Sequence, residues 1–211
     1  MSPPNADLTA LLLAGGRSRR FGTDKARAVV DGTPMLRRVY ETARALTPHV
    51  LLSVRAEGDF YFDLVPPEVP RLLDPVPDAG PLAGLVAGLR AARTPWLLAL
   101  ACDLPFLNEA TLRGLLAACS PDVDAVVPVT SDGRRQPLCA LYRVETVRPV
   151  AEARLAAGGH ALQALLDRLS VTTLPVPDAP LRNINTPDDL LLGHVGPERH
   201  IPGGRPPAPD E

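Results

Sequence analysis

Residues 11–25 read LLLAGGRSRRFGTDK: an apolar run ends in Gly15 and Gly16, three arginines follow, and Gly22 precedes Lys25. Basic charge gathered in a glycine-bearing turn after a buried strand is a place to hold phosphates. A residue without Cβ lets its backbone N–H turn toward an anion and approach it closely, and Arg19, Arg20 and Lys25 can add charge-assisted contacts. Two familiar phosphate loops do not fit. Five residues separate Gly16 from Gly22 and Thr23 follows it, which departs from G-x-x-x-x-G-K-[ST], and the dinucleotide pattern G-x-G-x-x-G does not match either. A glycine turn with solvated arginines would leave the same trace in this segment taken alone.

Outward from this stretch, residues 8–14 form an apolar run bounded by Gly15, as expected of a strand buried on both faces. Residues 35–46 carry apolar side chains at helical spacing behind Thr33 and Pro34. Residues 50–54 read as a second buried strand, 71–73 as a short third, and 82–92 as a helix opened by Gly80 and Pro81. Residues 96–101 form a fourth strand that ends at Cys102 and Asp103. Asn108 can cap a helix running to about Cys119, and residues 125–129 and 138–142 are strand-like around an Asp132-Gly133 turn. Helical patterns over 146–157 and 161–169 are separated by Gly158 and Gly159, and 171–175 is a last strand. This alternation predicts an α/β fold, a mostly parallel sheet with helices on both faces.

The 211 residues are 45% hydrophobic and 22% charged, enough for one sizeable core, so a single domain over 1–194 is expected. Residues 195–211, rich in Gly, Pro and charge, read as a disordered tail. A formal net charge of -2 offers no general attraction to nucleic acid or to an anionic membrane, so the cluster from Arg17 to Lys25 suits one small anion. Cys102, Cys119 and Cys139 show neither a C-x-x-C pair nor a zinc-ligand spacing and read as reduced core residues. With no signal segment and no apolar stretch near the roughly 20 residues that span a bilayer, a cytoplasmic location is expected.

In open α/β sheets ligands gather outside the carboxyl ends of the strands. The chain puts polar residues at three such ends: Gly15, Asp74 and Asp103. Asp103 follows LLALAC, and a carboxylate there can hold Mg²⁺, which favours oxygen and is commonly shared between one or two carboxylates and substrate phosphates; a turn or cap role would suit the same residue. Asp74 and Asp78 lie in LLDPVPDAGPLAGL, where the helix start behind Gly80 and Pro81 could help to bind an anion and Asp74 could accept hydrogen bonds from a base or ribose. Turn chemistry explains the same composition. The four histidines, His49, His160, His194 and His200, fall in no motif.

Together LLLAGGRSRRFGTDKA, LLDPVPDAGPLAGL, ACDLPFL, DGRRQPLCALY and NINTPDDL occur in the order and spacing of the molybdenum cofactor guanylyltransferases, and the resemblance covers about residues 8–192. It implies a Rossmann-like nucleotidyltransferase fold and transfer of GMP from GTP to the phosphate of molybdopterin. It further implies that Leu13, Ala14 and Gly15 meet guanine and phosphates, that Lys25 holds phosphate oxygens, that Asp74 contacts the nucleoside, and that Asp103 binds both GTP and Mg²⁺, with Mn²⁺ as an alternative ion. By the same resemblance Asn183 and Asn185 lie near the reacting phosphate or the metal, and Gly80, Pro81, Gln136 and Pro137 border the pterin. The chain departs from the pattern twice: Phe21 stands where Met is frequent, and Ser53 replaces an expected asparagine, losing an amide that both donates and accepts.

In the implied reaction the phosphate of molybdopterin attacks the α-phosphorus of GTP in line and pyrophosphate leaves. Both partners are anionic, so catalysis consists of neutralising charge and aligning them; Lys25, Arg19, the glycine amides and Mg²⁺ on Asp103 would do so. GTP and molybdopterin are the expected partners, with transient docking to cofactor donor and acceptor enzymes. Sister nucleotidyltransferases using CTP or a sugar phosphate, and a noncatalytic nucleotide-binding homologue, are the alternatives. LAGG with Asp24 and Lys25 favours guanine over the former, and the presence of Lys25 and Asp103 argues against the latter.

Overall fold

The computed structural model describes residues 7–14, 24–55, 60–76 and 79–192. Every side chain of strand β1 (Leu8–Leu13) is buried, so β1 lies inside a sheet covered on both faces. Because strand side chains alternate, Leu8, Ala10 and Leu12 enter one apolar layer and Leu11 and Leu13 the other. The first layer receives helices α1 (Met35–Arg44) and α3 (Glu109–Ala117), through Leu36, Val39, Leu112 and Leu115. The second receives α2 (Pro81–Ala91), α4 (Val144–Ala156) and α5 (Leu162–Leu166), through Leu85, Leu89, Val147 and Leu165.

A short hairpin of β2 (Val29–Val30) and β3 (Thr33–Pro34) stands apart from the main sheet. Its Asp31-Gly32 turn has positive φ at both residues, 48° and 78°, the conformation that matches strand twist in two-residue hairpins. The main sheet contains β4 (Val50–Val54), β5 (Arg71–Leu73), β6 (Trp96–Ala101), β7 (Ala125–Val129), β8 (Cys139–Arg143) and β9 (Val171–Pro175) with β1, in the order β5-β4-β1-β6-β8-β7-β9. All neighbouring pairs are parallel except those of β8, which runs antiparallel to β6 and β7. This is the expected mostly parallel α/β sheet with helices on both faces.

The register places Leu13 of β1 opposite Ser53 of β4 and Ala101 of β6, so these strands finish at one level. The chain leaves β1 toward β4 and β5 on one side and reaches β6 on the other, which makes the β1–β6 boundary the switch point where open α/β sheets bind ligands. Reversal of β8 brings its amino end, with Gln136 and Pro137, to that same edge; Ala101 N–H donates to Leu138 O at 2.8 Å. A 3₁₀ turn (Lys25–Arg27) follows β1, a second one (Ala179–Leu181) follows β9, and helix α6 (Pro187–Leu192) comes last. Helix α4 starts at Val144, earlier than the pattern predicted, and α5 is shorter than predicted. The expected tail over 195–211 lies outside the described residues.

Candidate active site

Asp24 starts the site. Its Oδ1 accepts from Ala26 N–H at 3.0 Å and caps the 3₁₀ turn, which aims Lys25 at the end of β6. Asp103 lies two residues beyond β6, where Cys102 N–H still donates to Leu13 O at 3.2 Å. Lys25 Nζ donates to Asp103 Oδ2 at 2.8 Å and to Asn185 Oδ1 at 2.7 Å. The Lys25 and Asp103 side chains are only 16% and 18% exposed, so their attraction is less screened than that of a surface pair. Arg38 of α1 joins the two flanks: its Nε donates to Pro105 O at 2.9 Å and its Nη1 to Val30 O at 3.0 Å.

Asp103 Oδ1 is buried and has no hydrogen-bond partner. A buried carboxylate oxygen without a donor costs stability unless a cation or ligand donor meets it. Its partner oxygen sits on an ammonium, and no group of three or more His, Cys, Asp or Glu residues that could hold a metal occurs among the described residues. One carboxylate with an orphaned oxygen fits Mg²⁺ or Mn²⁺ shared with substrate phosphates and does not fit an all-protein metal cage.

The loop before α6 closes this cluster. Ile184 N–H donates to Asp103 O at 3.0 Å, which lays the backbone between Asn183 and Asn185 beside the metal-binding candidate. Asp189 Oδ2 accepts from Asn185 N–H at 2.7 Å and from Thr186 N–H at 2.8 Å. Those donors, Asn185 first, hold the Asp189 carboxyl below the usual carboxylate range against a smaller opposing effect of burial, and the Lys25 charge adds to the lowering.

A second cluster lies across β1. Ser53, almost fully buried on β4, donates Oγ–H to Asp74 Oδ1 at 2.8 Å. Burial pushes the Asp74 carboxyl upward, opposed by the Ser53 hydrogen bond and the charge of Arg55. Helix α2 comes so near here that a Cβ on Gly84 would lie 2.6 Å from both Leu13 Cδ2 and Ser53 Oγ. The Ser53 hydroxyl, with one proton to give, gives it to Asp74. Ala14 N–H donates to Ser53 O at 3.1 Å and extends the β1–β4 ladder to the rim.

Gly80 and Pro81 open α2: Gly80 takes φ 69°, which favours glycine, and Pro81 occupies the first helical turn. Gln136 N–H donates to Pro128 O at 3.0 Å and Pro137 O accepts from Tyr142 Oη at 2.7 Å, fixing both residues at the edge of the sheet. Gly15, Arg19 and Asp78 lie outside the described residues. Cys102, Cys119 and Cys139 are free thiols, and burial pushes those of Cys102 and Cys139 up to about 12, too high for nucleophiles at neutral pH.

Two features escaped sequence reasoning. Lys25 is the only lysine among 211 residues; every other Lys or Arg position is arginine. The other is Asp189, whose signal is the Thr186-to-Asp189 spacing of a capping box.

A family model described as a MobA-like NTP transferase domain matches residues 10–172. A molybdenum cofactor guanylyltransferase of Cupriavidus metallidurans is 36% identical over 194 residues, 88% of this chain and 94% of the relative. One of Burkholderia cenocepacia is 41% identical over 174 residues, covering 77% of this chain and 83% of the relative. The crystal structure of molybdopterin-guanine dinucleotide biosynthesis protein A from Archaeoglobus fulgidus superposes with a TM-score of 0.72 at 25% identity, over 88% of this chain and 96% of that one. With the Lys25–Asp103–Asn185 cluster at the switch point of this sheet, the chain belongs to the MobA-like NTP transferase family and, within it, to the molybdenum cofactor guanylyltransferases.

Proposed function

We propose that the protein transfers GMP from GTP to the terminal phosphate of molybdopterin, releasing pyrophosphate and forming molybdopterin guanine dinucleotide. The observation that carries the reading is the Lys25 ammonium held between Asp103 Oδ2 and Asn185 Oδ1 at the carboxyl edge of the sheet, with Asp103 Oδ1 buried and unpartnered. An ammonium beside a carboxylate that fits a divalent cation is chemistry for a triphosphate, whose own charge completes the balance.

An oxygen of the acceptor phosphate attacks the α-phosphorus of GTP, and the bond from that phosphorus to the oxygen bridging the β-phosphate breaks. The attacking phosphate is already ionised, so no side chain has to remove a proton. Bound Mg²⁺ would supply charge neutralisation on the phosphate oxygens, held by Asp103. Lys25 holds a triphosphate oxygen as negative charge shifts toward the leaving pyrophosphate. Asn185 orients Lys25, and Asn183 flanks the same phosphates. Leu13, Ala14 and Asp74 receive the nucleoside, with Ser53 setting the Asp74 carboxylate. Gly80, Pro81, Gln136 and Pro137, on the same rim, border the pterin.

No helix among the described residues is long and apolar enough to cross a membrane; the proposed setting is the cytoplasm, where the product passes to acceptor enzymes by transient docking. Titration calorimetry with GTP, CTP, UTP and ATP, with and without Mg²⁺, tests the reading. Mg²⁺-assisted binding of GTP alone, followed by turnover with molybdopterin, is expected. A preference for CTP would assign the chain a different nucleotide, and GTP binding without turnover would make it a binding protein.

A further inference from the structure

Among the described residues the ammonium of Lys25 has two tethers of different kinds. Asp103 is the carboxylate that the proposed reaction assigns to the metal and triphosphate, so its hold on Lys25 is contested when they arrive. Asn185 Oδ1, at 2.7 Å, is a neutral acceptor that the proposed reaction leaves to Lys25. An amide oxygen positions a cation only as well as its own backbone is positioned, and the backbone of Asn185 is held at both ends. On one side Ile184 N–H donates to Asp103 O; on the other Asp189 Oδ2 takes the N–H groups of both Asn185 and Thr186. Asp189 N–H in turn donates to Thr186 Oγ1 at 3.3 Å. Helix α6 has six residues, too few to hold its first turn without outside contacts.

We infer that Asp189 is a positioning residue for the reaction: acting through Asn185, it fixes where the Lys25 ammonium stands once Asp103 is engaged elsewhere. The role of that ammonium on phosphate rests on the proposed function, whereas the coupling of Asp189 to Lys25 is a property of the nucleotide-free protein. It can be read directly, because the sole lysine gives one side-chain ammonium signal in full-length protein labelled with [15N]lysine.

The measurement is the exchange of Lys25 ammonium protons with water, without nucleotide, in the parent, Asn185→Ala, Asp189→Ala and the double variant. Each single change is expected to speed exchange about tenfold, the equivalent of one hydrogen bond to a charged group. The double variant should exchange no faster than Asn185→Ala, since Asp189 has nothing to act through once the amide is gone; a purely structural role would add its effect. Asp189→Asn keeps an oxygen at the same reach but removes its charge, and carries the same test, with a smaller acceleration, should Asp189→Ala fail to fold. Parent-like exchange in the folded Asp189 variants, or a double variant clearly faster than Asn185→Ala, would overturn the inference. Calorimetry with Mg²⁺ and GTP on the same proteins keeps the two questions apart. A parent that binds no GTP refutes the proposed function, while ammonium exchange still decides the place of Asp189.

Discussion

Lys25→Arg keeps the charge and changes the shape. The ammonium is a point donor, 2.8 Å from Asp103 Oδ2 and 2.7 Å from Asn185 Oδ1, two oxygens carried by loops far apart in sequence. A guanidinium is a planar fork on a longer stem that prefers to meet one carboxylate with two parallel bonds, so the substituted side chain would pair with Asp103 and abandon Asn185. Retention of the pair should keep stability within about 1 kcal/mol of the parent, a cost typical of one net hydrogen bond. Turnover should fall by about 10²–10³, the loss seen when one positioned electrostatic donor is removed from a reacting group. Lys25→Met separates the terms by also removing the charge. It strips the charge-assisted hydrogen bonds to Asp103 and Asn185 from a largely shielded site, and a net cost of about 3 kcal/mol is expected. At about 2–4 °C per kcal/mol for a chain of this size, its melting temperature should drop by roughly 6–12 °C. The assay is pyrophosphate release with GTP and molybdopterin, alongside thermal melts of each variant. Lys25→Arg turnover within about threefold of the parent, less than 1 kcal/mol of barrier, would refute the geometric argument, as would a melting loss in Lys25→Arg as large as that in Lys25→Met.

Asp103→Asn should abolish Mg²⁺-dependent turnover while the protein stays folded. The parent should gain about 2.7 kcal/mol of stability when Mg²⁺ and GTP are present at a hundred times their dissociation constant, a gain that melts of the variant should lack. Asp74 is raised by burial above its ordinary value of 3.8, so between the two values the folded state binds more protons than the unfolded one and stability falls as pH rises through that window. Asp74→Asn should flatten this part of the melting-temperature profile and weaken GTP binding; parallel profiles for parent and variant would show that Asp74 is not the group responsible. Gly84→Ala puts a Cβ 2.6 Å from Leu13 Cδ2 and Ser53 Oγ. Overpacking of about 1–3 kcal/mol should outweigh the gain of up to about 1 kcal/mol in helix propensity, so the melting temperature should fall; a rise would show that α2 moves aside at no cost.

Most regular elements were legible because each satisfied a short-range rule. The run 8–14 could be read as doubly buried because it is apolar at both alternating positions, and Asn108 announced α3 with a cap that the structure contains, accepting from Thr111 N–H at 2.9 Å. Two-residue strands carry no alternation to detect, so the β2–β3 hairpin went unread despite its Asp31-Gly32 turn. Lys25, behind the glycine turn, and Asp103, at a predicted strand end, could be singled out as candidate phosphate and metal ligands from residue type, and the structure brings the two side chains together. Ser53 was readable only as a missing amide, since its bond to Asp74 joins two strands.

Local pattern therefore supplied most of the elements, the α/β class and the candidate site residues, since periodicity, caps and turns depend on neighbours a few residues away. Strand order, the reversal of β8 and the meeting of Lys25 with an asparagine 160 residues later depend on how crossovers stack helices on a twisted sheet. Contacts of that kind arise when distant segments bury their apolar faces together, and no window along the chain contains both partners.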